Sequence, residues 1–453
     1  MLTELSLENF KSWKKVDRMR FAPITGLFGT NSSGKTSILQ LLLMLKQTVE
    51  SPDRAQALIF GDEKTAANLG TFQDIAFGHE VTAHLKWSLK WKLAKNLSIK
   101  DTKDPSTILF SGTDLGFDSE VWSENGKLIV GGMSYTFAGQ RFGMERKGTT
   151  GSKYKVMSEG GGFTFIRTQG RPWDLPAPVK CYGFPDQVKA YFQNAGFLGD
   201  LPLAFENLFS HVYYLGPLRE YPQRQYTWAG AEPADMGPRG ERVVDALLAA
   251  RERGDVIPLG KGRKRPTLEQ YVAEWLKNLG LIHDFSVETI ARDSNLYRVR
   301  VQKSATSAEV LITDVGFGVS QILPALVLCY YVPEGSTILL EQPEIHLHPS
   351  VQAGLADVFL DAVKRRNVQI IFESHSEHLL RRLQRGIAEG TTTPESAALY
   401  FCRMDDGQSR LTGLELDVFG NIANWPKDFF GDEFGEMAAI TKAVMNRKKA
   451  GGA

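Results

Sequence analysis

The chain has 453 residues, of which 42% are hydrophobic and 23% charged, and its formal net charge is +1. These values fit a soluble globular protein with core enough for two or three domains, or for one elaborated domain. They exclude a whole-protein field for nucleic acid, so any such contact has to use a local patch. No apolar run approaches the roughly 18 residues of a membrane span. The first residues lack a basic start followed by a long apolar core, so no leader is expected. The cysteines Cys181, Cys329 and Cys402 are widely spaced and odd in number, which points to a reduced, cytoplasmic setting with buried thiols.

Taken in chain order, Leu2, Leu5, Leu7 and Phe10 come close to alternation and predict a first strand, followed by a polar, basic connection from Lys11 to Arg20. Ile24 to Phe28 predicts a strand, and the apolar run that follows Ser37 predicts a helix. Between them lies Gly29-Thr30-Asn31-Ser32-Ser33-Gly34-Lys35-Thr36, which fits G-x-x-x-x-G-K-[ST] at every fixed position. In this strand–loop–helix setting the loop is a phosphate cradle. Its N–H groups and the helix N-terminus face the phosphates, Lys35 reaches the β/γ-phosphates, and the Thr36 hydroxyl binds Mg²⁺. The reading is therefore of a nucleotide triphosphate and Mg²⁺ held by Asn31, Ser32, Ser33, Gly34, Lys35, Thr36 and Ser37.

From Val81 the pattern changes to clear alternation through Trp87 and Trp91. Further strand-like segments follow at Ser106 to Phe110, Lys127 to Phe137, Tyr154 to Met157 and Gly162 to Arg167. The two tryptophans are read as core packing rather than as base-stacking groups. Helical signals return at Gln187 to Gly199, Ala204 to His211 and Pro266 to Leu279, and strands are expected at Phe285 to Ile290 and Leu296 to Gln302. The basic run Lys261 to Arg265 reads as a solvated loop, with contact to nucleic acid or a partner as the alternative. Arg219, rigidly aimed after Gly216-Pro217-Leu218, is balanced between a phosphate or dimer contact and a structural role.

From Val310 onward the chain reads helix, buried strand, helix, buried strand, helix. The strand Ser336 to Leu340 runs into Glu341-Gln342-Pro343-Glu344, an apolar strand ending in an acid beside a P-loop, which is the Walker B arrangement for Mg²⁺. The buried strand read over Val368 to Ser376 delivers His375 at its C-terminal end, where open α/β sheets bind ligands. Gly316 to Gln321 is a small-residue loop opening a helix, a second anion site. One phosphate chain does not need two, whereas a dimer does if each chain closes over the other's nucleotide. A transition-metal site at Glu344, His346 and His348 and hydrolase chemistry at Glu373, His375 and His378 are both disfavoured. Asp405-Asp406-Gly407 reads as a hairpin turn, no nuclease motif is found, and the last residues, 446–453, read as a disordered tail.

This order, with the phrases EQPEIHLHP, ESHSEHLL and GFGVSQILP, resembles the ABC-type ATPases of the SMC and RecF branch. Within it the chain is most similar to stand-alone ATPases of bacterial anti-phage systems, the Septu subunit first and the PARIS subunit next. Leu69 to Asp74, Tyr214 to Arg219 and Gly420 to Pro426 also match, and residues 81–210 hardly do. The resemblance implies an α/β P-loop head of ABC-ATPase type with an inserted antiparallel β-subdomain and helical region, and no long coiled coil. Its parts would be 1–80 (Walker A, Q-loop), 81–170 (β-rich), 171–309 (helical and mixed) and 310–445 (signature, Walker B, D-loop, switch histidine). Gln73 would sense Mg²⁺ and the γ-phosphate. Gly316, Gly318 and Ser320 would belong to the signature loop, His346 to His348 to the D-loop, and His375 would be the switch.

Two departures bear on chemistry. Glu341 stands where the family has Asp, and Gln342 stands at the usual catalytic Glu. A glutamine cannot take a proton from water, and Glu344, the candidate to take over beside Gln342 and His375 in the catalytic set, lies two residues further along; slow hydrolysis is expected, with ATP acting mainly as a structural clamp as the alternative. The resemblance further implies at least a homodimer, larger assemblies, a separate HNH-type or toxin-like nuclease as effector, with DNA or a phage component left open as partner and no membrane. The alternative from a different class is a RecF-like DNA-repair or DNA-loading ATPase stimulated by DNA, which needs a continuous basic surface.

Overall fold

The computed structural model describes every residue except 102–105, 149–152, 261, 263, 293, 427–428, 430–432 and 451–453. The chain begins with β1 (Leu2–Phe10), β2 (Trp13–Arg20) and β3 (Ile24–Gly29), then α1 (Lys35–Glu50) and the short α2 (Phe72–Ile75). Strands β4 (Leu85–Lys100), β5 (Ile108–Glu124), β6 (Lys127–Phe137), β7 (Gln140–Arg146) and β8 (Tyr154–Glu159) follow. Next come α3 (Asp186–Tyr191), α4 (Asp200–Ser210), β9 (Val212–Leu215), β10 (Tyr226–Thr227), α5 (Val243–Arg253) and α6 (Leu268–Asn278). After β11 (Asp284–Thr289), β12 (Leu296–Gln302) and β13 (Glu309–Leu311), the C-terminal part runs α7 (Phe317–Tyr331), β14 (Thr337–Glu341), α8 (Pro349–Arg366), β15 (Gln369–Glu373) and α9 (Glu377–Ala388). It closes with β16 (Ala397–Asp405), β17 (Gln408–Gly413) and α10 (Glu433–Ala450).

Three sheets organise these elements. A six-stranded sheet in the order β17-β16-β3-β15-β14-β9 is parallel except at the β16–β17 hairpin. A seven-stranded antiparallel sheet runs β2-β1-β4-β5-β6-β7-β8, and a small antiparallel sheet is built from β10 to β13. The alternation of strand side chains sorts the apolar residues of the parallel sheet onto two faces. Leu27, Leu339 and Ile371 join the core shared with α1, α4 and the seven-stranded sheet. Their neighbours Phe28, Ile338, Leu340, Ile370 and Phe372 join the core shared with helices α5 to α9. Because both faces are covered, the central strands read as unbroken apolar runs. The fold is α/β, a P-loop head of ABC-ATPase type with an antiparallel sheet. The longest helices among the described residues, α8 and α10, have 18 residues each, too short for a coiled-coil arm.

Several expectations change. Lys11 to Arg20 is not a bare connection, since Trp13 to Arg20 forms β2 against β1. Its buried residues Trp13, Val16 and Met19 are spaced by three, and between Val16 and Met19 an extra residue bulges out, between the Leu5↔Met19 and Leu7↔Val16 pairs. The bulge hides the period of two. Gly162 to Arg167 is no strand; it contributes only the isolated bridge Arg167↔Phe192. The tail expected to be disordered from residue 446 continues α10 as far as Ala450. Lys261 and Arg263 of the basic run lie outside the described residues. Trp87 and Trp91 are buried in the core under the antiparallel sheet, and Asp406 and Gly407 form the β16–β17 turn.

Candidate nucleotide site

The parallel strands end on one edge, and the P-loop lies on that edge. Register sets the chemistry there: Glu341, last in β14, is paired with Glu373, last in β15, and Glu373 is paired with Leu27 of β3. Two glycines let the loop pass between its neighbours. A Cβ on Gly29 (φ +137°) would fall 1.9 Å from the Cys402 carbonyl oxygen, and one on Gly34 (φ +89°) would fall 2.4 Å from Ser409 Oγ. The turn is thus open only to residues without a side chain. Trp13 Nε1 donates to the Gly34 carbonyl at 2.9 Å and anchors the loop from below.

Lys35 opens α1 and is buried. Its ammonium donates to the carbonyls of Gly29 at 3.1 Å and Thr30 at 2.7 Å. Burial lowers its pKa, against the pull of Glu373. The Thr36 hydroxyl donates to Glu373 Oε2 at 2.7 Å, whereas Glu341 accepts from the Tyr214 hydroxyl at 2.9 Å. Glu341 is pushed up to about 7, first by burial and then by Glu373, and burial also raises Glu373 and Glu344. Asn31 and Ser32 are exposed at the loop tip, while Ser33 is buried and its hydroxyl has no hydrogen-bond partner.

After Glu341 the chain turns sharply. Gln342 takes a left-handed conformation (φ +41°), its N–H donates to the Glu373 carbonyl at 3.1 Å, and Ile345 N–H returns to the Gln342 carbonyl at 3.1 Å. This turn brings Glu344 back to the strand edge. Its Oε1 accepts from the His375 N–H at 2.7 Å, and its Oε2 is buried and unbonded. His375 is exposed, with its pKa lowered by partial burial and then by Lys35.

Not every predicted residue converges here. Gln73 is exposed on α2, and among the described residues no hydrogen bond joins its side chain to Thr36 or Glu341. Gly316, Gly318 and Ser320 lie at the start of α7, where Gly316 is the N-cap and Ser320 Oγ donates to the Phe317 carbonyl. Among the described residues no hydrogen bond or ion pair links Gly316 to Gln321 with Lys35, Thr36, Glu341, Glu344 or His375. Beside them Phe317 and Tyr221 are exposed and meet edge to face at 5.7 Å. Tyr214, Lys11 and Glu373 are site residues to which the sequence reading gave no role at the nucleotide. Lys11, at the β1–β2 turn, is electrostatically coupled to Glu341, and only the pairing of β1 with β2 places it there.

The donor set fits Mg²⁺, since a hydroxyl and carboxylates are hard oxygen ligands. It also fits a triphosphate, because a buried ammonium, the P-loop glycines and several unbonded buried polar atoms face one edge. Groups of three or more His, Cys, Asp or Glu side chains that could hold a metal ion are absent among the described residues, and no helix among them is long and apolar enough to cross a membrane.

Residues 1–109 match the family described as "AAA ATPase domain", and residues 195–381 match "AAA domain, putative AbiEii toxin, Type IV TA system". Residues 393–440 match a family described as a protein of unknown function, DUF3696. No curated protein matches the chain. Among solved structures, an SMC head bound to the C-winged helix domain of ScpA is 12% identical, with TM-score 0.46, covering 92% of this chain and 98% of that one. An SMC head domain from Thermotoga maritima is 11% identical, with TM-score 0.40 and coverage of 91% and 99%. An Smc head domain with an extended coiled coil, bound to the C-terminal domain of ScpA derived from Pyrococcus furiosus, is 11% identical, with TM-score 0.44 and coverage of 92% and 96%. At such scores nothing about partners follows from these structures. The P-loop edge, the acid-ended strands and the two ATPase-family matches define the class as far as an ATPase of P-loop type.

Proposed function

We propose that this chain is the ATP-binding, slowly hydrolysing subunit of an anti-phage defence complex of Septu or PARIS type, in which ATP-dependent association of heads assembles and restrains a separate nuclease or toxin effector. The observation behind this reading is the separation of two half-sites. The P-loop, Glu341, Glu344 and Glu373 are gathered on one buried edge, while Gly316 and Phe317 stand exposed at the start of another helix. A second copy brings the exposed half to the first copy's nucleotide, so ATP adds contacts in the closed state alone and shifts the population by that difference. The likeness of residues 195–381 to a family described by a toxin of a Type IV TA system adds support for a defence setting. In this scheme residues 1–80 and 310–445 supply most of the head, β9 (Val212–Leu215) adds the edge strand of its parallel sheet, and the rest of 81–309 carries its inserted parts.

In hydrolysis, water attacks the terminal phosphorus, the bond to the β-phosphate oxygen breaks, and Glu344 is the proton acceptor. Its Oε1 is fixed by the His375 N–H, and its Oε2, which has no hydrogen-bond partner, is the oxygen that takes the proton. His375 completes the edge beside Lys35. Thr36 and Glu341, with Gln73 carried in on α2 when the site closes, would hold Mg²⁺, which when bound neutralises charge on the phosphates. Gln342 holds no base at the usual position, and turnover is slow.

The test is purification of the native complex from its own operon, with mass and ATPase activity determined together for wild type and Lys35→Ala. A large particle containing a second protein, lost or deregulated in Lys35→Ala, supports the reading. A lone dimer whose turnover rises sharply with DNA overturns it and favours a RecF-like repair ATPase.

A further inference from the structure

Arg219 is the most unusual side chain in the molecule. It is only 7% exposed, yet Nε, Nη1 and Nη2 all lack a hydrogen-bond partner. A buried guanidinium left bare costs several kcal/mol, and arginines that serve structure are normally clamped by carboxylates or carbonyls. Suitable partners are close enough to couple electrostatically, namely Tyr214, Glu341 and Glu344, but each is otherwise engaged or turned elsewhere. Glu341 accepts from Tyr214, Glu344 Oε1 accepts from the His375 N–H, and Glu344 Oε2 is itself buried and unbonded. A bare cation and a bare carboxylate oxygen thus share one enclosure without meeting.

The backbone fixes this arrangement. Gly216 N–H donates to the Pro238 carbonyl at 2.7 Å, and Glu220 N–H donates to the Arg239 carbonyl at 3.0 Å. The loop is pinned at both ends, and Pro217 restricts it between them. Leu218 faces outward and is exposed, Arg219 faces inward, and Tyr221 faces outward again onto Phe317. The loop therefore runs from the Walker B edge to the exposed start of α7.

We propose that Arg219 is a ligand for the terminal phosphate of the nucleotide bound in its own chain. It would tell ATP from ADP and pass that state along residues 216–221 to the Tyr221–Phe317 face. Only an anion with several acceptor oxygens satisfies three bare nitrogens beside two acids, and the γ-phosphate is the anion this edge is built to receive. The inference rests on the nucleotide-site reading above.

The test measures binding of Mg²⁺ with AMP-PNP and with ADP to the full chain by calorimetry, together with the thermal midpoint of the nucleotide-free protein. Wild type, Arg219→Gln, Arg219→Lys and Lys35→Ala are compared. Arg219→Gln is expected to weaken AMP-PNP by roughly 10- to 100-fold, the size of a charged hydrogen bond, and ADP by less than about twofold. Its nucleotide-free midpoint is expected to equal or exceed that of wild type, because an unpaired buried charge has been removed. Arg219→Lys should recover part of the AMP-PNP affinity, and it carries the comparison alone if Arg219→Gln does not fold. Equal loss for both nucleotides, or a lower midpoint with AMP-PNP binding intact, overturns the proposal. If Lys35→Ala leaves both nucleotides bound as before, the site reading itself fails, which is a different outcome.

Discussion

The P-loop edge and the start of α7 are built to opposite rules. At the P-loop edge charged groups are buried, the backbone is held in left-handed conformations at Ser32, Gly34 and Gln342, and polar atoms of Ser33, Arg219 and Glu344 have no partner. At the start of α7 the backbone opens to solvent, and Leu218, Tyr221 and Phe317 expose apolar surface around Gly316. Strain and unsatisfied polarity gather where a ligand completes the structure, while bare apolar area gathers where a protein surface does. The contrast is what the proposed function requires, with one half of the site organised within the chain and the other offered outward.

The sharpest way to break the contrast is at the buried half. Glu344→Gln keeps the shape and the Oε1-type acceptor but removes the base, so kcat should fall by about 10²- to 10⁴-fold with KM little changed, as steady-state kinetics would show. If turnover is untouched, Glu344 is not the proton acceptor. A change on the outward half should act through association instead. Phe317→Asp puts a charge into the apolar face, so ATP-dependent dimerisation, followed by light scattering, should weaken by roughly 10-fold or more. Binding of nucleotide to the isolated chain should stay as in wild type, and a loss of that binding would erase the distinction between the halves. The smallest effect is expected at the turn between them. Gln342→Glu supplies a carboxylate at the usual position, and single-turnover rates should rise by about 10-fold at most, since Glu344 already occupies the edge. A fall in rate would show that the glutamine contributes directly.

How legible the site was differs by residue. The P-loop was readable because each fixed position answers a local demand, as Gly29 and Gly34 show by leaving no room for a Cβ. Glu344 was readable only in part. Counted along an extended chain it lies several ångströms from the position of the missing base at Gln342, and it is the left-handed turn at Gln342 that folds it back onto the His375 N–H. Glu373 was visible as the end of a strand, but its bond to Thr36 depends on β15 lying between β3 and β14. Lys11 was hidden by a bulge that disguised β2 as a connection.

The sequence by itself determined what is encoded within a few residues: the phosphate loop, the apolar strands buried on both faces, the helix after Gly316 and the turn at Asp406-Gly407. Such features depend on backbone freedom and side-chain period, which neighbouring residues settle among themselves. Only the tertiary structure decided which acid meets Thr36, that Arg219 is buried without a partner, and that no hydrogen bond or ion pair among the described residues joins Gly316 to Gln321 with the phosphate loop. Those outcomes depend on strand order and on enclosure by segments hundreds of residues away, and desolvation, which makes an unpaired charge costly or a carboxyl basic, does not exist until those segments pack together.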